Sequence, residues 1–309
     1  MPTPAAIRFG PYAFESSRED KVFFPDAAIS KGDVIAYYEK IADVMLAYLK
    51  KRPLVMQRFP DGIASEGFIQ QTAPDYFPDW IPRMTISKKD GKITHAAADK
   101  KAALAYLADQ GVITFHGLLS RADRIKVPDQ IVFDLDPPPQ GGFDAVRQTA
   151  LDLRDILEEL GLVAFAKTSG SRGLHIVCPI RRKAGFRQTR KFAADIARYL
   201  AREKPDTLTT EQRKKRRKGR LFLDTVRNSY GQTLVAPYSL RPLPGAPVAT
   251  PVSWAEVGKK SLRPDRYSLA NIFRRLAQKK DPWRAMSRHA RDLAKPQKKL
   301  KTLISQKTH

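Results

Sequence analysis

The stretch Val132-Phe133-Asp134-Leu135-Asp136-Pro137 is the most informative part of this chain. Its apolar residues favour a short buried strand that ends at the proline. Because side chains alternate along a strand, Asp134 and Asp136 fall on the same face. Two carboxylates this close repel each other unless a hard divalent cation lies between them. A solvated strand end has the same pattern, so the metal-site hypothesis depends on the rest of the chain.

A second informative segment, Ser169-Gly170-Ser171-Arg172-Gly173, joins apolar runs over residues 162–168 and 174–180. This arrangement predicts a β-hairpin with a small, glycine-containing loop. In such a loop, backbone N–H groups, two hydroxyls and a guanidinium can point at one anion, which is how triphosphates are commonly held. His175 follows closely, and a third acid, Asp224, ends a later apolar run.

Four segments make the chain similar to a known family. They are Phe-Asp-Leu-Asp-Pro (133–137), Thr-Ser-Gly-Ser-Arg-Gly-Leu-His (168–175), Phe-Leu-Asp (222–224) and Ala-Pro-Tyr-Ser-Leu-Arg (236–241). In this order they resemble the polymerase domain of bacterial ligase D, a primase-polymerase of the archaeo-eukaryotic primase superfamily. Residues 21–25, 30–38 and 52–62 also resemble that family, so the similarity covers about residues 15–285. Four ordered motifs are far more specific than any single one.

The resemblance implies a nucleotidyltransferase, a template-dependent DNA or RNA polymerase. It would fill gaps and extend ends in DNA break or gap repair such as non-homologous end joining. Two ions, Mn²⁺ or Mg²⁺, would be held by Asp134, Asp136 and Asp224, because both metals prefer hard oxygen ligands. One ion would lower the pKa of the primer 3′-hydroxyl, and the other would neutralise charge on the leaving pyrophosphate. A preference for Mn²⁺ and ribonucleotides is implied by the family alone.

The other site residues also follow from the resemblance. Those expected to bind the incoming NTP or dNTP are His116, Ser169, Ser171, Arg172, His175, Arg241 and Arg58. His116 is assigned by resemblance alone, because a histidine that simply ends the strand Val112-Ile113-Thr114 would have the same pattern. Lys21 and Lys31 match lysines that hold the 5′-phosphate of a downstream DNA strand, although ordinary surface lysines look alike.

The chain departs from the family beside a template-stacking position. Phe68 matches the first of two adjacent aromatic residues. Ile69-Gln70-Gln71 stands where the family usually has the second aromatic residue and a lysine. We therefore expect recognition of the DNA end to be retained and stacking on the template to be weaker.

The net charge favours a nucleic-acid partner. The chain has 56 basic and 32 acidic residues, which gives a formal charge of +24. Residues 181–220 hold 16 basic and 4 acidic side chains, and residues 259–309 hold 16 and 3, so these windows carry the whole excess. Such concentrated charge is typical of contacts with a phosphate backbone. The densest run, expected to bind DNA but also compatible with a solvated face, is Arg213, Lys214, Lys215, Arg216, Arg217 and Lys218.

Composition and periodicity predict the fold class. A chain of 309 residues with 42% hydrophobic composition can bury a large core. Helices are expected from Ser30 to Leu49 and near 99–110, 143–160 and 186–202, and strands near 131–136, 162–168, 174–180, 220–225 and 233–238. These elements suggest one sheet with helices packed on it. The resemblance makes this an α+β primase-polymerase core with a central mixed or antiparallel β-sheet, with residues 1–285 as the catalytic domain and 286–309 as a basic tail.

The compartment is inferred from what the sequence lacks. No apolar stretch approaches transmembrane length, and the N-terminus has no secretory hydrophobic region. Cys178 is the single cysteine and lies in an apolar run, which predicts a core residue and excludes a disulfide framework within the chain. We expect a cytoplasmic bacterial protein, associated with the nucleoid.

Several alternatives stay open. The tetrapeptide Lys88-Lys89-Asp90-Gly91 matches the lysine motif of DNA ligases, but it is short and its setting predicts a hairpin turn. A non-catalytic DNA-end-binding module would keep the basic surfaces without needing three acids, and a two-metal nuclease could use the same acids. Ku and a DNA ligase are possible partners by resemblance. The chain has no ligase or nuclease module, so we expect a freestanding enzyme, although a domain cut from a longer protein would look identical.

Overall fold

The computed structural model describes residues 5–88 and 90–306. Over these residues the chain divides into two compact units. The first unit is built from the chain up to Asp123, together with Thr233–Ala249 and Tyr267–Arg275. The second unit is built from Arg124–Gln232, Thr250–Arg266 and the chain after Arg275.

The first unit contains a four-stranded antiparallel sheet in the order β15, β9, β5, β6. Three two-stranded pairs, β1–β2, β3–β4 and β7–β8, complete its β-structure over the described residues. Its strands are β1 (Ala5–Phe9), β2 (Tyr12–Ser16), β3 (Val22–Phe24), β4 (Ile29–Ser30), β5 (Leu54–Arg58), β6 (Phe68–Gln70), β7 (Arg83–Lys88), β8 (Gly91–Ala96), β9 (Val112–Leu118) and β15 (Thr233–Val235).

Helices α1 (Lys31–Leu49) and α2 (Lys101–Asp109) pack together in the first unit. Helix α1 begins where the sequence predicts, because Ser30 and Asp33 form a capping box. The Asp33 N–H donates to Ser30 Oγ at 3.1 Å, and the Ser30 N–H donates to the Asp33 carboxylate at 2.8 Å. The predicted apolar face is buried, and Tyr37 hydroxyl donates to the Tyr238 carbonyl oxygen at 2.7 Å.

The second unit is organised around a six-stranded mixed sheet in the order β13, β14, β10, β12, β11, β16. Strands β13 and β14 are parallel, and the other neighbours are antiparallel. The strands are β10 (Gln130–Asp136), β11 (Phe165–Thr168), β12 (Leu174–Pro179), β13 (Leu208–Thr209), β14 (Leu221–Asp224) and β16 (Pro251–Val252). Its helices are α3 (Phe143–Glu159), α4 (Phe186–Glu203), α5 (Trp254–Val257) and α7 (Ala294–Gln306), and the boundary between the units falls within α6 (Ile272–Gln278). Helices α3 and α4 pack on the sheet, which confirms a central mixed sheet flanked by helices.

The expectation of one sheet for all five predicted strands is wrong in one respect. The strand predicted near 233–238 is β15, and it pairs with β9 in the four-stranded sheet. Alternation of apolar residues identifies a strand but not its partner, which depends on pairing far away in the sequence. The other four predicted strands lie together in the six-stranded sheet.

Two smaller predictions are also borne out. The tetrapeptide that matches the ligase motif forms a hairpin turn, as predicted. Asp90 and Gly91 lie at this turn between β7 and β8, and Lys89 lies outside the described residues. Cys178 is fully buried in β12, and burial raises the pKa of its thiol, as expected for a core residue.

None of the helices within residues 5–88 and 90–306 is both long and apolar enough to cross a membrane.

Candidate active site

The acidic site is built on β10 and its two neighbours. Asp134 lies directly opposite Asp224 of β14 on one side and opposite His175 of β12 on the other. Leu135 between the two β10 acids is fully buried, whereas Asp134 and Asp136 are half-buried, so both acids share one face as predicted. Strand register therefore brings Asp224, which is distant in sequence, to the two acids of β10.

The predicted phosphate loop joins β11 to β12 beside this site. Ser169 Oγ accepts hydrogen bonds from the N–H groups of Ser171 at 3.2 Å and Gly173 at 3.0 Å. A Cβ atom at Gly173 would lie 2.1 Å from the Leu135 carbonyl oxygen, so only glycine lets the loop approach the acidic strand so closely. Gly170 has a φ of 66°, which glycine adopts without strain.

Two guanidinium groups contact Asp136. Arg172 Nη2 lies 3.2 Å from Oδ1, and Arg217 Nη1 lies 3.2 Å from Oδ2. Arg217 also lies over the Phe222 ring, with 3.8 Å between the guanidinium carbon and the ring centroid. A third arginine, Arg227, approaches Asp134, with Nε 3.8 Å from Oδ2. Arg217 was predicted to bind DNA, and Arg227 was not among the predicted site residues.

His175 is held between an acid and a buried lysine. Its Nε2 lies 3.4 Å from Asp134 Oδ1, and its Nδ1 lies 2.8 Å from Lys167 Nζ. An ammonium group only donates hydrogen bonds, so Nδ1 accepts and the ring proton is on Nε2, facing Asp134. Lys167 is fully buried and lies opposite His175 in the strand register. Lys167 was not among the predicted site residues, although a lysine inside an apolar strand is a signal visible in the sequence.

The pKa values of two acids move in opposite directions. Burial raises the pKa of Asp224 above its ordinary value, and the charge of nearby Asp134 raises it further. Burial also raises the pKa of Asp134, but the combined effect of His175, Arg227 and Lys167 outweighs it and leaves that pKa below its ordinary value. Asp134 is therefore the more firmly ionised of the two.

The donor chemistry of the site suits hard cations. Asp134, Asp136 and Asp224 supply carboxylate oxygens, which hard divalent cations prefer. Burial, and after it the charge of Asp134, raise the pKa of Asp224, and a cation bound beside it would favour its ionised form. As the side chains are oriented, no group of three or more His, Cys, Asp or Glu residues within the described ranges is placed to hold a metal ion. Both oxygens of Asp136 contact arginines, so a metal ion bound by Asp136 would have to displace at least one of these arginines.

Three residues predicted to bind nucleotide lie in the first unit. His116 is half-buried in β9, opposite Val55 and Val235. Arg241 is half-buried, and its N–H donates to the Pro247 carbonyl oxygen at 2.8 Å.

Arg58, the third of these residues, is buried beneath the predicted stacking residue. Its guanidinium lies 5.4 Å from the Phe68 ring centroid. Arg58 donates to the Gln110 carbonyl oxygen at 2.7 Å, to Gln70 Oε1 at 2.5 Å and to the Tyr76 hydroxyl at 3.0 Å. These contacts associate Arg58 with the Phe68 platform. Phe68 itself is 47% exposed, as a stacking residue requires.

Lys21 and Lys31 are close together because the Lys31 N–H donates to the Lys21 carbonyl oxygen at 2.8 Å. Each ammonium has a carboxylate partner. Lys21 pairs with exposed Asp61, whose pKa is lowered by that contact, and donates to the Pro60 carbonyl oxygen at 2.9 Å. Lys31 Nζ lies 2.7 Å from Asp109 Oδ1, a contact of opposite charges whose angles do not make it a hydrogen bond.

The basic run at Arg213–Lys218 does not form a uniform surface. It surrounds a short 3-10 turn at Lys214–Arg216, and five of its six side chains are exposed. Arg217 is the exception, because it is half-buried and turned toward Asp136. The exposed five remain candidates for contacts with DNA, whereas Arg217 belongs to the acidic site.

The fold is that of a nucleotidyltransferase of the primase-polymerase class, as the matches to known proteins show. Residues 30–283 match the family model described as "LigD, primase-polymerase domain". The chain belongs to this family.

Related proteins agree with this assignment. The chain is 32% identical over 274 residues to the bifunctional non-homologous end joining protein LigD of Bacillus subtilis, covering 88% of this chain and 44% of the relative. It is 31% identical to the multifunctional non-homologous end joining DNA repair protein LigD of Mycobacterium tuberculosis strain H37Rv, covering 85% of this chain and 35% of the relative. The chain thus spans less than half the length of these relatives.

A solved structure is similar over the whole fold. The polymerase domain from Mycobacterium tuberculosis ligase D, solved in complex with DNA, has a TM-score of 0.84 and 31% identity to this chain. The match covers 89% of this chain and 98% of that domain.

Proposed function

We propose that this chain performs template-dependent nucleotidyl transfer, filling gaps and extending ends during DNA break repair such as non-homologous end joining. The observation that carries the proposal is the register of β10, which sets Asp134 opposite both Asp224 and His175. The Ser169–Gly173 loop reaches the same strand through the close approach of Gly173 to Leu135. Acids for metals and donors for a triphosphate thus lie side by side.

The loop and its neighbours would hold the incoming nucleotide. Arg172 is the exposed cation of the loop, and its fork of N–H donors matches phosphate oxygens. Ser169 and Ser171 carry hydroxyl donors, and His175 presents an Nε2 proton next to Asp134. His116 and Arg241 are proposed as further contacts to the nucleotide by family membership. Arg58 is likewise proposed by family membership, and a nucleotide contact would compete with its hydrogen bonds to Gln110, Gln70 and Tyr76.

Two divalent ions, Mn²⁺ or Mg²⁺, would be held by Asp134, Asp136 and Asp224. Bound there, they would supply activation of the primer 3′-hydroxyl and charge neutralisation at the leaving pyrophosphate. The family also supports a preference for Mn²⁺ and for ribonucleotides. The chain's own contribution is to keep Asp134 ionised through His175, Arg227 and Lys167.

The proposed DNA contacts are distributed over both units. Phe68 would stack on the template, and Lys21 with Lys31 would bind the 5′-phosphate across a gap. The exposed members of the Arg213–Lys218 run would contact the phosphate backbone. Ku and a DNA ligase are the proposed partners, since the relatives' names describe non-homologous end joining.

The test is incubation of the protein with a gapped duplex that has a downstream 5′-phosphate, Mn²⁺ and either NTPs or dNTPs. We expect primer extension to the end of the gap, with faster incorporation of ribonucleotides. Shortening of the primer instead would identify a nuclease, and binding without any change of primer length would identify a DNA-end-binding module. Either result would contradict the proposal.

A further inference from the structure

A basic groove lies on helix α4, outside the acidic site. It has a volume of about 500 Å³, within the range of pockets that bind small ligands. It lies wholly within the second unit. The residues that line it are Phe186, Arg187, Arg190, Lys191, Ala194, Arg198, Ser229 and Tyr230. Half of these are cations and none is acidic.

The cations of the groove differ in their partners. Lys191 and Arg198 both contact Asp195, one turn away on the same helix, so part of their charge is compensated. Arg187 and Arg190, on the first turns of α4, are exposed and form no ion pair with any residue that the structure describes. The N–H donors of their guanidinium groups can therefore form paired hydrogen bonds with an anion.

An exposed aromatic ring also lines the groove. Tyr230 is 36% exposed and packs edge-on against Phe186, with 5.5 Å between ring centroids and 73° between ring planes. The contact holds the ring beside the arginines. Ser229 Oγ, which belongs to another lining residue, is buried without a hydrogen-bond partner among the described residues. A polar atom of a ligand would give this hydroxyl a partner.

The groove is tied to the catalytic strand through the chain that carries Tyr230. Asn228 donates through Nδ2 to the Val132 carbonyl oxygen at 2.7 Å and accepts from the Val132 N–H at 2.9 Å. This fixes the segment after Asp224 against β10, two residues before the first acid of that strand. A polymer bound in the groove would therefore lie on the unit that contains the three acids.

We propose that this groove binds an unpaired strand of DNA, with phosphates on Arg187 and Arg190 and a base stacked on Tyr230. Arginine forks match phosphate geometry, and an exposed aromatic ring accepts any base, which is the combination typical of single-strand binding. An acidic peptide would use the same positive charge, but it would not need the ring. The inference rests on the proposed function, because the strand is part of a gapped or broken DNA substrate.

The test measures binding of fluorescein-labelled (dT)12 to the full chain by fluorescence anisotropy. Arg187→Ala with Arg190→Ala is compared with Arg202→Ala plus Lys301→Ala, which removes the same charge from exposed positions outside the groove. We expect the double variant Arg187→Ala with Arg190→Ala to bind (dT)12 about tenfold more weakly than the parental protein. The slope of log affinity against log salt concentration should become less steep by about 0.7 for each lost phosphate contact. The control pair should stay within about twofold of the parental protein.

Ring variants address stacking directly. Tyr230→Ala should weaken (dT)12 binding about tenfold, whereas Tyr230→Phe, which keeps the ring and its packing on Phe186, should stay near the parental affinity. Loss of affinity in Tyr230→Phe equal to that in Tyr230→Ala would overturn the stacking inference. So would a groove pair that binds like its control. If a (Glu)12 peptide displaces (dT)12 equally well and Tyr230→Ala changes neither affinity, the groove is an acidic-peptide surface and the inference is wrong.

A second measurement separates this inference from the proposed function. Primer extension at saturating primer-template, with only one unpaired template base, should be unchanged in the groove variants. A parental protein that binds (dT)12 through the groove but never extends a primer would contradict the proposed function alone. A parental protein that extends primers while the groove variants bind (dT)12 like their controls would contradict this inference alone.

Discussion

Both units hold their proposed ligand-binding groups in ion pairs, but these groups are acidic in one unit and basic in the other. In the second unit, the proposed active groups are carboxylates, and cations such as Arg172 and Arg217 are held against Asp136. In the first unit, the proposed active groups are Lys21 and Lys31, and carboxylates are held against them. At both places, binding of a charged ligand would be an exchange of ion pairs rather than a simple attraction.

These ion pairs differ in how far they are exposed to water. The Arg172 and Asp136 side chains are 54% and 33% exposed, so their contact is screened by water and easily exchanged. The Lys31 and Asp109 side chains are only 10% and 6% exposed, so removing one partner leaves a buried charge. We infer that exposed pairs exchange readily with a charged ligand, and that the buried Lys31–Asp109 pair also stabilises the first unit in addition to its proposed role at the 5′-phosphate. The predictions below test this difference.

The largest expected effect is at the acids. Asp134→Ala, Asp136→Ala and Asp224→Ala should each reduce primer extension by at least about 1000-fold, or about 4 kcal/mol of transition-state stabilisation, with DNA affinity nearly unchanged. Single-turnover extension and DNA-binding assays would measure the two properties. Asp206→Ala, at an exposed position of the same unit, is the control and should extend primers normally. Near-parental extension by Asp224→Ala would remove that residue from the site.

The buried lysine of the first unit should matter most for stability. Lys31→Met leaves Asp109 buried without its cation and should cost about 3 kcal/mol of unfolding free energy, measured by urea denaturation. Adding Asp109→Asn removes the buried charge and should recover most of the loss. A single variant as stable as the parental protein would show that the pair is not structural.

The more exposed lysine should affect recognition of the DNA end. Lys21→Ala is expected to reduce the preference for a gapped duplex with a downstream 5′-phosphate over the same duplex with a 5′-hydroxyl, by about 1–2 kcal/mol. Affinities for the two duplexes would be compared at one salt concentration. Asp61→Asn should strengthen the preference, because it releases the Lys21 ammonium. Equal binding of both duplexes by the parental protein would exclude the 5′-phosphate site.

A smaller effect is expected at Lys167, which touches His175 rather than the acids. Lys167→Met should raise the KM for nucleotide about tenfold, because His175 loses the donor that fixes its Nε2 proton. Stability should change little, because relief from desolvating the buried ammonium is offset by the hydrogen bond that buried His175 loses. Loss of stability with an unchanged KM would make Lys167 a purely structural residue.

The smallest effect per residue is expected in the basic run. Glutamine would replace the five exposed members of the run, Arg213, Lys214, Lys215, Arg216 and Lys218. The slope of log DNA affinity against log salt concentration should then become less steep by about 0.9 for each lost phosphate contact. Arg217→Gln should leave that slope nearly unchanged, because its side chain faces Asp136. An unchanged slope in the fivefold variant would mean that the run is a solvated face.

Local patterns predicted much of this architecture. The capping box at Ser30, the alternation around Leu135 and the glycine loop after Thr168 each depend on neighbouring residues, and the structure has all three. Contacts set by distant pairing could not be predicted in this way. Arg217 reaches Asp136 across 81 residues, and β15 pairs with β9 rather than with the sheet of the acids. Such pairings depend on tertiary register, which local propensity does not encode.

The central claim is that three acids on neighbouring strands hold two divalent ions during catalysis. The most direct measurement is electron paramagnetic resonance of Mn²⁺ titrated into the protein with a gapped duplex and a non-hydrolysable nucleotide. We predict two bound ions for the parental chain, and weaker or incomplete binding for Asp136→Ala, with the Asp206→Ala control unchanged. Equal stoichiometry and affinity in the parental protein and in the Asp134→Ala, Asp136→Ala and Asp224→Ala variants would contradict the claim.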